Sequence, residues 1–437
     1  MDGVATERGA GSIASEAGRD GGFGDQPGGG RRELALILML ASVQFTSIVD
    51  FMLVMPLGPQ LERVLGLSPH QFGRIVSSYT IAAGVAGFVA SFLMDRYGRK
   101  AAFLTLYAGF LLGTLLCGLA WNYPTLLAAR VATGVFGGIL GGLALAIVGD
   151  VVPEHRRGWA TGVLMTAFAL ASALGVPVGL KLGTDHGWQT PFLVLAALGT
   201  PVFFVAMAVL PPLRGHVARV EGVSLIRRLV DMFGHSDHIP AFLLTVGLMF
   251  GGFTVFPYIS VYLVANAGLR EEQLFWIYMV GGLLTLFGMP AIGRAADRFG
   301  KLRVFRLMSL CTMVMLLVVT NLGPMPLWIV AAVFGVMMLV SSSRSVPAMA
   351  MITSSVEASR RGGFMSANSA VQHLAAGVAA DVGGRMLANG PRGTILHFDR
   401  VGWLAAASTV LCLWLAGRLR AARRVPAVVA VQRPPSR

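Results

Sequence analysis

The residues with chemistry to offer are polar side chains set inside long apolar runs. Asp50 sits in Ser47-Ile-Val-Asp50-Phe-Met-Leu-Val-Met-Pro56, and Arg130 opens Arg130-Val-Ala-Thr133-Gly134-Val-Phe-Gly137-Gly138. An arginine at the centre of a membrane-crossing helix costs at least ~2.5 kcal/mol, so it normally faces a polar cavity or a carboxylate. Counted from the same end of their runs, Arg130 is about six residues in and Asp50 about seven, a shared depth of roughly 10 Å at about 1.5 Å per residue. That depth predicts an Asp50–Arg130 pair in which Asp50 takes up and loses a proton; the plainer alternative is a fixed structural ion pair. His373 and Asp381 stand eight apart, nearly aligned on one helical face, and either could carry protons. A lone histidine among small residues is as often a hydrogen-bonded packing group. The proton-coupling candidates are therefore Asp50, Arg130, His373 and Asp381.

A second set could line a cavity. Asn368 and Gln372 are four apart and share a helix face, a natural cavity wall. Phe51, Met52, Met55, Met165, Phe168, Phe253, Phe256 and Tyr258 could supply a greasy lining for amphipathic solutes, although such residues in membrane helices mostly pack against neighbours or lipid. Arg344 joins this set, or else snorkels outwards from near the end of its run. No phosphate-binding glycine loop with a lysine, no catalytic triad and no metal-ligand spacing appears, so no cofactor and no metal is expected and the chain does not read as an enzyme.

A third set is a charged loop that occurs twice. Ser91-Phe-Leu-Met-Asp95-Arg96-Tyr97-Gly98-Arg99-Lys100 returns about two hundred residues later as Gly293-Arg-Ala-Ala-Asp297-Arg298-Phe299-Gly300-Lys301. Pro153-Glu-His-Arg156-Arg157-Gly158 is echoed by Glu357-Ala-Ser-Arg360-Arg361-Gly362. Repeated loops in repeated surroundings mark an internal duplication. Gly98 would permit a tight turn between helices. Asp95 can pair with Arg99 or lie against the positive amino-terminal end of another helix. Contacts of this kind form and break as two bodies rock, so Asp95, Arg96, Gly98, Arg99, Lys100, Asp297, Arg298, Gly300 and Lys301 are candidates for a conformational latch. The plainer reading is a basic anchor with a turn.

The elements that must position these groups follow from composition. Of 437 residues, 55% are hydrophobic and 13% charged, about half the charged fraction of a soluble protein. The apolar runs are roughly twenty residues long, enough to cross about 30 Å of hydrocarbon as helices. Twelve spans are expected: 35–57, 72–94, 101–120, 124–148, 159–182, 191–211, 240–264, 273–292, 303–322, 326–348, 363–387 and 401–419. The domain plan is a disordered tail over 1–33, a six-helix bundle over 34–211, a linker over 212–238, a second bundle over 239–420 and a basic tail over 421–437. Most of the 35 Lys and Arg fall in every second loop and in the tails. The positive-inside rule then puts those loops and both termini in the cytoplasm, and it explains the net charge of +14 without nucleic acid. Cys117, Cys311 and Cys412 all lie in apolar runs and read as buried free thiols. Small residues recur every four positions at Gly134, Gly138 and Gly142 and again at Gly175, Gly179 and Gly183, a device mainly for close helix packing.

The duplicated loop resembles the Gly-x-x-x-Asp-Arg-x-Gly-Arg-Lys motif of the major facilitator superfamily, with Ser91 in place of the first glycine and Gly293 keeping it. Arg130-x-x-x-Gly134 resembles that family's motif in the fourth span, and Ala173-Leu-Gly175-Val-Pro177-Val-Gly179 resembles the glycine-proline motif of its antiporting exporters, with Val176 inserted. The resemblance covers residues 35 to 420. It implies an all-α fold of twelve transmembrane helices in two pseudo-symmetric bundles, and a transporter working by alternating access. It further implies proton-driven antiport, exporting a small organic or drug-like molecule through the inner membrane, and nothing in the chain requires more than a monomer. Proton-coupled uptake of a sugar or organic acid, or a non-transporting sensor or scaffold, are the alternatives.

Overall fold

The computed structural model describes residues 29–93, 98–211, 238–357 and 361–419. The linker expected over 212–238 falls outside these except for His238, as do Asp95 and Arg96 of the first loop and the tail over 421–437. The N-terminal stretch is corrected at its edge. Helix α1 (Gly29–Leu53) starts before residue 34, because Glu33 is buried and receives a hydrogen bond from Arg156 at 3.0 Å.

The first half continues with α2 (Gly58–Leu65), α3 (Pro69–Leu93), α4 (Arg99–Gly118), α5 (Tyr123–Val151), α6 (Glu154–Leu170), a π-turn (Ala171–Gly175), α7 (Val176–His186) and α8 (Thr190–Val209). The second half holds α9 (Ile239–Phe253), α10 (Ile259–Ala265), α11 (Leu274–Phe299), α12 (Lys301–Thr320), α13 (Leu327–Ser343), α14 (Ser345–Ser354), α15 (Arg361–Met386) and α16 (Phe398–Arg418). Helices dominate because hydrocarbon offers no partner for backbone N–H and C=O groups, which a helix satisfies internally. Local signals set their ends. The Asn122 side chain accepts from Thr125 N at 2.9 Å in a capping box that starts α5, and Gly66, at φ 63°, stops α2. A two-stranded hairpin, β1 (Ala388–Asn389) on β2 (Ile395–Leu396), is tied down at Ile395, whose N–H donates to Asn266 Oδ1 and whose carbonyl accepts from Asn266 Nδ2.

Eleven of these segments among the described residues are long and apolar enough to cross a membrane, so this is a multi-pass membrane protein. The expected span 363–387 falls on α15, a 26-residue helix of sufficient length whose Ser366, Asn368, Ser369, Gln372, His373 and Asp381 keep it below the hydropathy of the others. The expected span 326–348 is longer than the sequence indicated. It runs from Leu327 to Ser354 and breaks at Arg344, three residues before Pro347, which has no N–H for the ladder.

Among the described residues, buried apolar side chains form one large cluster and three smaller ones. At the end of the molecule holding α2 and α10, Leu53, Phe72 and Ile75 from the first half merge with Tyr258, Ile259 and Phe398 from the second. At the opposite end, which carries Arg99, Arg156 and Arg306, the clusters are separate. Leu40, Phe103 and Ile147 belong to the first half, and Leu244, Phe305 and Phe364 to the second. We call these the far end and the basic end. The buried apolar core is therefore continuous between the halves at the far end, a weld, and divided between them at the basic end.

Small residues make the weld possible. A Cβ on Gly377 of α15 would collide with Thr80 and Ile81 of α3, and one on Gly282 of α11 with the backbone of Ser172 and Ala173. The expected packing stripes are present. Gly134 and Gly138 lie against Tyr79 and Ala83, while Gly175, Gly179 and Gly183 receive Val49, Leu53 and Leu57. Gly142 has open space instead and lines a cavity.

Candidate functional site

Asp50 on α1 and Arg130 on α5 meet as their depth predicts. Both are buried, and Arg130 Nη1 donates to Asp50 Oδ2 at 2.7 Å and to the Asp50 main-chain oxygen at 3.4 Å. Two partners were not foreseen. Thr114 Oγ1 on α4 donates to Asp50 Oδ1 at 3.0 Å, and the Arg130 guanidinium lies 4.5 Å from the centre of the Tyr79 ring on α3. The only sequence signal for either was a polar atom in an otherwise apolar run. Four helices thus converge on one ion pair, each supplying one side chain.

Tyr79 connects that pair to a cavity. Its ring centre is 5.2 Å from that of Phe51, and Phe51 is 6.0 Å from Phe253 of the other half. The cavity, about 350 Å³, lies between the halves. Phe51, Met52, Met55, Phe168, Phe253 and Phe256 line it, as the sequence suggested, together with Gln372 and Arg344. Thr80, Met249, Met338, Ser341 and Ser342 line it as well and were not anticipated.

Three expected lining residues are elsewhere. Tyr258 is built into the far-end weld, its hydroxyl donating to Ala380 O, with Gly73 and Gly384 close beside it. Asn368 is turned away and accepts from Thr245 Oγ1 at 2.7 Å; a four-residue step rotates about 400°, so it lies some 40° off the Gln372 direction. Met165, one turn nearer the basic end than Phe168, is exposed and does not line the cavity. Arg344 does not snorkel. It is 3% exposed, because the helix runs on for ten more residues and leaves it about 15 Å from the end.

His373 borders this cavity and also a second one of about 210 Å³, which leads between α3, α5 and α15 to Arg99 at the basic end. Asp381 is far from Asp50. It belongs to a far-end cluster, with Arg385 Nε at 2.7 Å, His70 Nε2 at 3.4 Å and Arg74 Nε at 4.0 Å. The Arg63–Glu271 ion pair, at 2.8 Å, also bridges the halves there. Nearby, Glu62 Oε1 is buried without a hydrogen-bond partner among the described residues, and burial pushes its carboxyl up to about 8.

At the basic end, Arg99 Nε pairs with Asp150 at the close of α5, a partner no motif indicated. Gly98 has φ −60°, a backbone conformation open to any residue, and the rest of the tight turn expected there lies outside the described residues. In the second copy Gly300, at φ 95°, does require glycine. Asp297 and Arg298 are exposed, and Arg298 lies over the neighbouring Phe299 ring at 5.5 Å; Lys301 begins α12.

The description Major Facilitator Superfamily matches residues 40–380 and 241–435. The Escherichia coli (strain K12) "Inner membrane transport protein YdhP" is 28% identical over 59% of this chain and 66% of its own length. A "Probable sugar efflux transporter" of Helicobacter pylori (strain G27) is 25% identical over 57% of this chain and 63% of its own. The chain therefore spans just under two thirds of the length of these curated relatives. Among solved structures, a D-xylose-proton symporter superposes with a TM-score of 0.74 at 15% identity, over 88% of this chain and 97% of that one, a likeness of fold.

Proposed function

This chain belongs to the Major Facilitator Superfamily of transporters, which are not enzymes, and from that premise we propose that it is a secondary active transporter that exchanges a small organic or drug-like solute for protons by alternating access. The fold comprises twelve membrane helices, α15 included, as two six-helix bundles that rock about the cavity. The positive-inside rule assigns the basic end and both termini to the cytoplasm. The halves, their buried core continuous at the far end and divided at the basic end, then describe an inward-open state of a monomer in an inner membrane, the compartment in YdhP's name.

The observation that carries this reading is the buried Asp50–Arg130 pair, one aromatic layer behind the cavity wall. A proton taken by Asp50 removes half of that pair and frees Arg130. Tyr79 and Phe51 sense the change, and Phe51 hands it to Phe253 across the halves. Energy comes from the proton gradient, with no cofactor. His373, at the junction of the two cavities, is the second candidate proton carrier. The far-end cluster of His70, Arg74, Asp381 and Arg385, with Arg63–Glu271, acts as the outer lock, and Asp381 serves there rather than as a primary carrier. Arg99–Asp150 and the second loop copy act as the inner latch. Export is favoured by the glycine-proline stretch around Pro177, which follows a π-turn, a common mark of a working helix.

The test is transport in proteoliposomes under an imposed pH gradient. The native protein is expected to move a compound against its own gradient, and Asp50→Asn only to equilibrate it. Pumping by Asp50→Asn at the native rate would sink Asp50 as the coupling group. Uptake with protons rather than against them would select the symport alternative, and no flux of any compound would favour the sensor.

A further inference from the structure

The cavity carries a charge with nothing to balance it. Arg344 is fully buried on its wall and donates to Thr409 Oγ1 at 3.3 Å and to Leu248 O at 3.4 Å. Both acceptors are neutral, and Thr409 spends its own proton on Ala405 O at 2.9 Å. A guanidinium has five N–H donors, so these two long bonds leave it under-used. No aspartate or glutamate lines the cavity, and among the described residues no carboxylate pairs with Arg344. The contrast with Arg130 is instructive: at similar burial Arg130 has its own aspartate and is shielded behind Tyr79. Buried charges are ordinarily paired, and an arginine inside a membrane protein that faces a cavity marks a ligand path.

A second observation points the same way. Ser341, one turn before Arg344 and on the same wall, has a buried hydroxyl with no hydrogen-bond partner among the described residues. A donor hydroxyl beside a donor-only guanidinium is a surface for an acceptor. Apolar side chains, among them Phe51, Met52, Phe253, Phe256 and Met338, make up much of the remaining wall, and Thr80, Ser342, Ser345, Gln372 and His373 add polar groups to it.

We propose that the transported solute is an amphipathic organic anion, its carboxylate or similar acid group held by Arg344 and Ser341 and its ring or chain packed on the phenylalanines and methionines. This deepens the transport reading above and rests on it for the word transported. Planar acids suit arginine because the fork of N–H groups matches two oxygens at once. A cation of the same shape would meet a like charge in a low-dielectric chamber, and a neutral solute would leave Arg344 under-used.

The test is equilibrium dialysis of the purified full-length protein at neutral pH against three compounds with one body: 2-naphthoate, 2-naphthalenemethanol and 2-naphthylmethylammonium. No gradient is applied, so failure of proton-driven transport would not touch the result. The native protein is expected to bind the acid at least tenfold more tightly than the alcohol or the amine. Arg344→Gln should bring the acid down to the level of the alcohol while leaving the alcohol unchanged, and Ser341→Ala should weaken the acid alone by roughly threefold. Equal binding of acid, alcohol and amine by the native protein overturns the proposal, as does no binding of the acid at millimolar concentration. Should Arg344→Gln misfold, the preference of the native protein and the Ser341→Ala result decide the matter.

Discussion

Cutting the Asp50–Arg130 pair on one side should harm the protein far more than removing it whole. Arg130→Met leaves the Asp50 carboxylate buried with the Thr114 hydroxyl at 3.0 Å as its remaining side-chain donor. Losing one partner of a buried pair costs about 3–5 kcal/mol, because the orphaned charge stays out of water. Asp50→Leu leaves the guanidinium with the Asp50 main-chain oxygen and the face of Tyr79 at 4.5 Å. A desolvated cation–π contact returns up to about 2 kcal/mol, so this variant should fall near the lower end, about 3 kcal/mol. The double variant carries no buried charge at this site, and such replacements are often nearly neutral. The cycle should therefore show a coupling of about 4 kcal/mol or more, well above the roughly 0.5 kcal/mol within which independent sites add. Thermal unfolding of the purified protein reads it out. At roughly 2 °C per kcal/mol, each single variant should lose roughly 5–10 °C and the double variant under about 4 °C. A double variant whose loss equals the sum of the singles would refute the reasoning, and so would singles that unfold with the native protein.

Glu62→Gln should raise stability at high pH and leave it unchanged at low pH. Because burial holds the proton on the folded protein up to about 8 while the unfolded chain releases it near 4.5, the native protein should lose stability as pH rises between those values, and the glutamine variant should not; parallel melting curves at pH 5 and pH 8.5 would contradict this. Asp381→Asn combined with Glu271→Gln should loosen the outer lock modestly, since partly exposed ion pairs are worth about 0.2–1 kcal/mol each. Labelling from outside of a cysteine placed at Met338, in a chain whose native cysteines are replaced by serine, should rise roughly threefold to tenfold, and no rise would count against the lock. Gly377→Leu, whose side chain must enter the space of Thr80 and Ile81, should wedge α3 from α15 and disfavour the state seen here. Its labelling at the same position should also rise, and unchanged labelling with unchanged melting would show that the seam is not tight.

What the sequence determined by itself was whatever depends on local composition and on counting along a helix. Apolar run lengths place the helices, because the bilayer fixes how far a helix must reach. The twice-written loop reveals the duplication and the family. Depth counting brings Asp50 to Arg130, since a straight helix converts residue number into distance. The glycine stripes predict close packing for the same reason.

Only the tertiary structure decided which face of each helix meets the cavity. Asn368 and Gln372 share a side in a wheel diagram, yet one bonds Thr245 and the other lines the chamber. Tyr258 and Phe256, two residues apart, divide between the far-end weld and the cavity wall. Arg344 would sit near a helix end if its span closed at residue 348; its burial follows from how far the helix runs on past the break at Arg344. Thr114, Tyr79 and Asp150 gain their roles from neighbours some 50 to 65 positions away in the chain, and no local pattern encodes such pairs. The unbalanced charge of Arg344 is of the same kind: to know that no carboxylate reaches it, every helix around the cavity must first be in place.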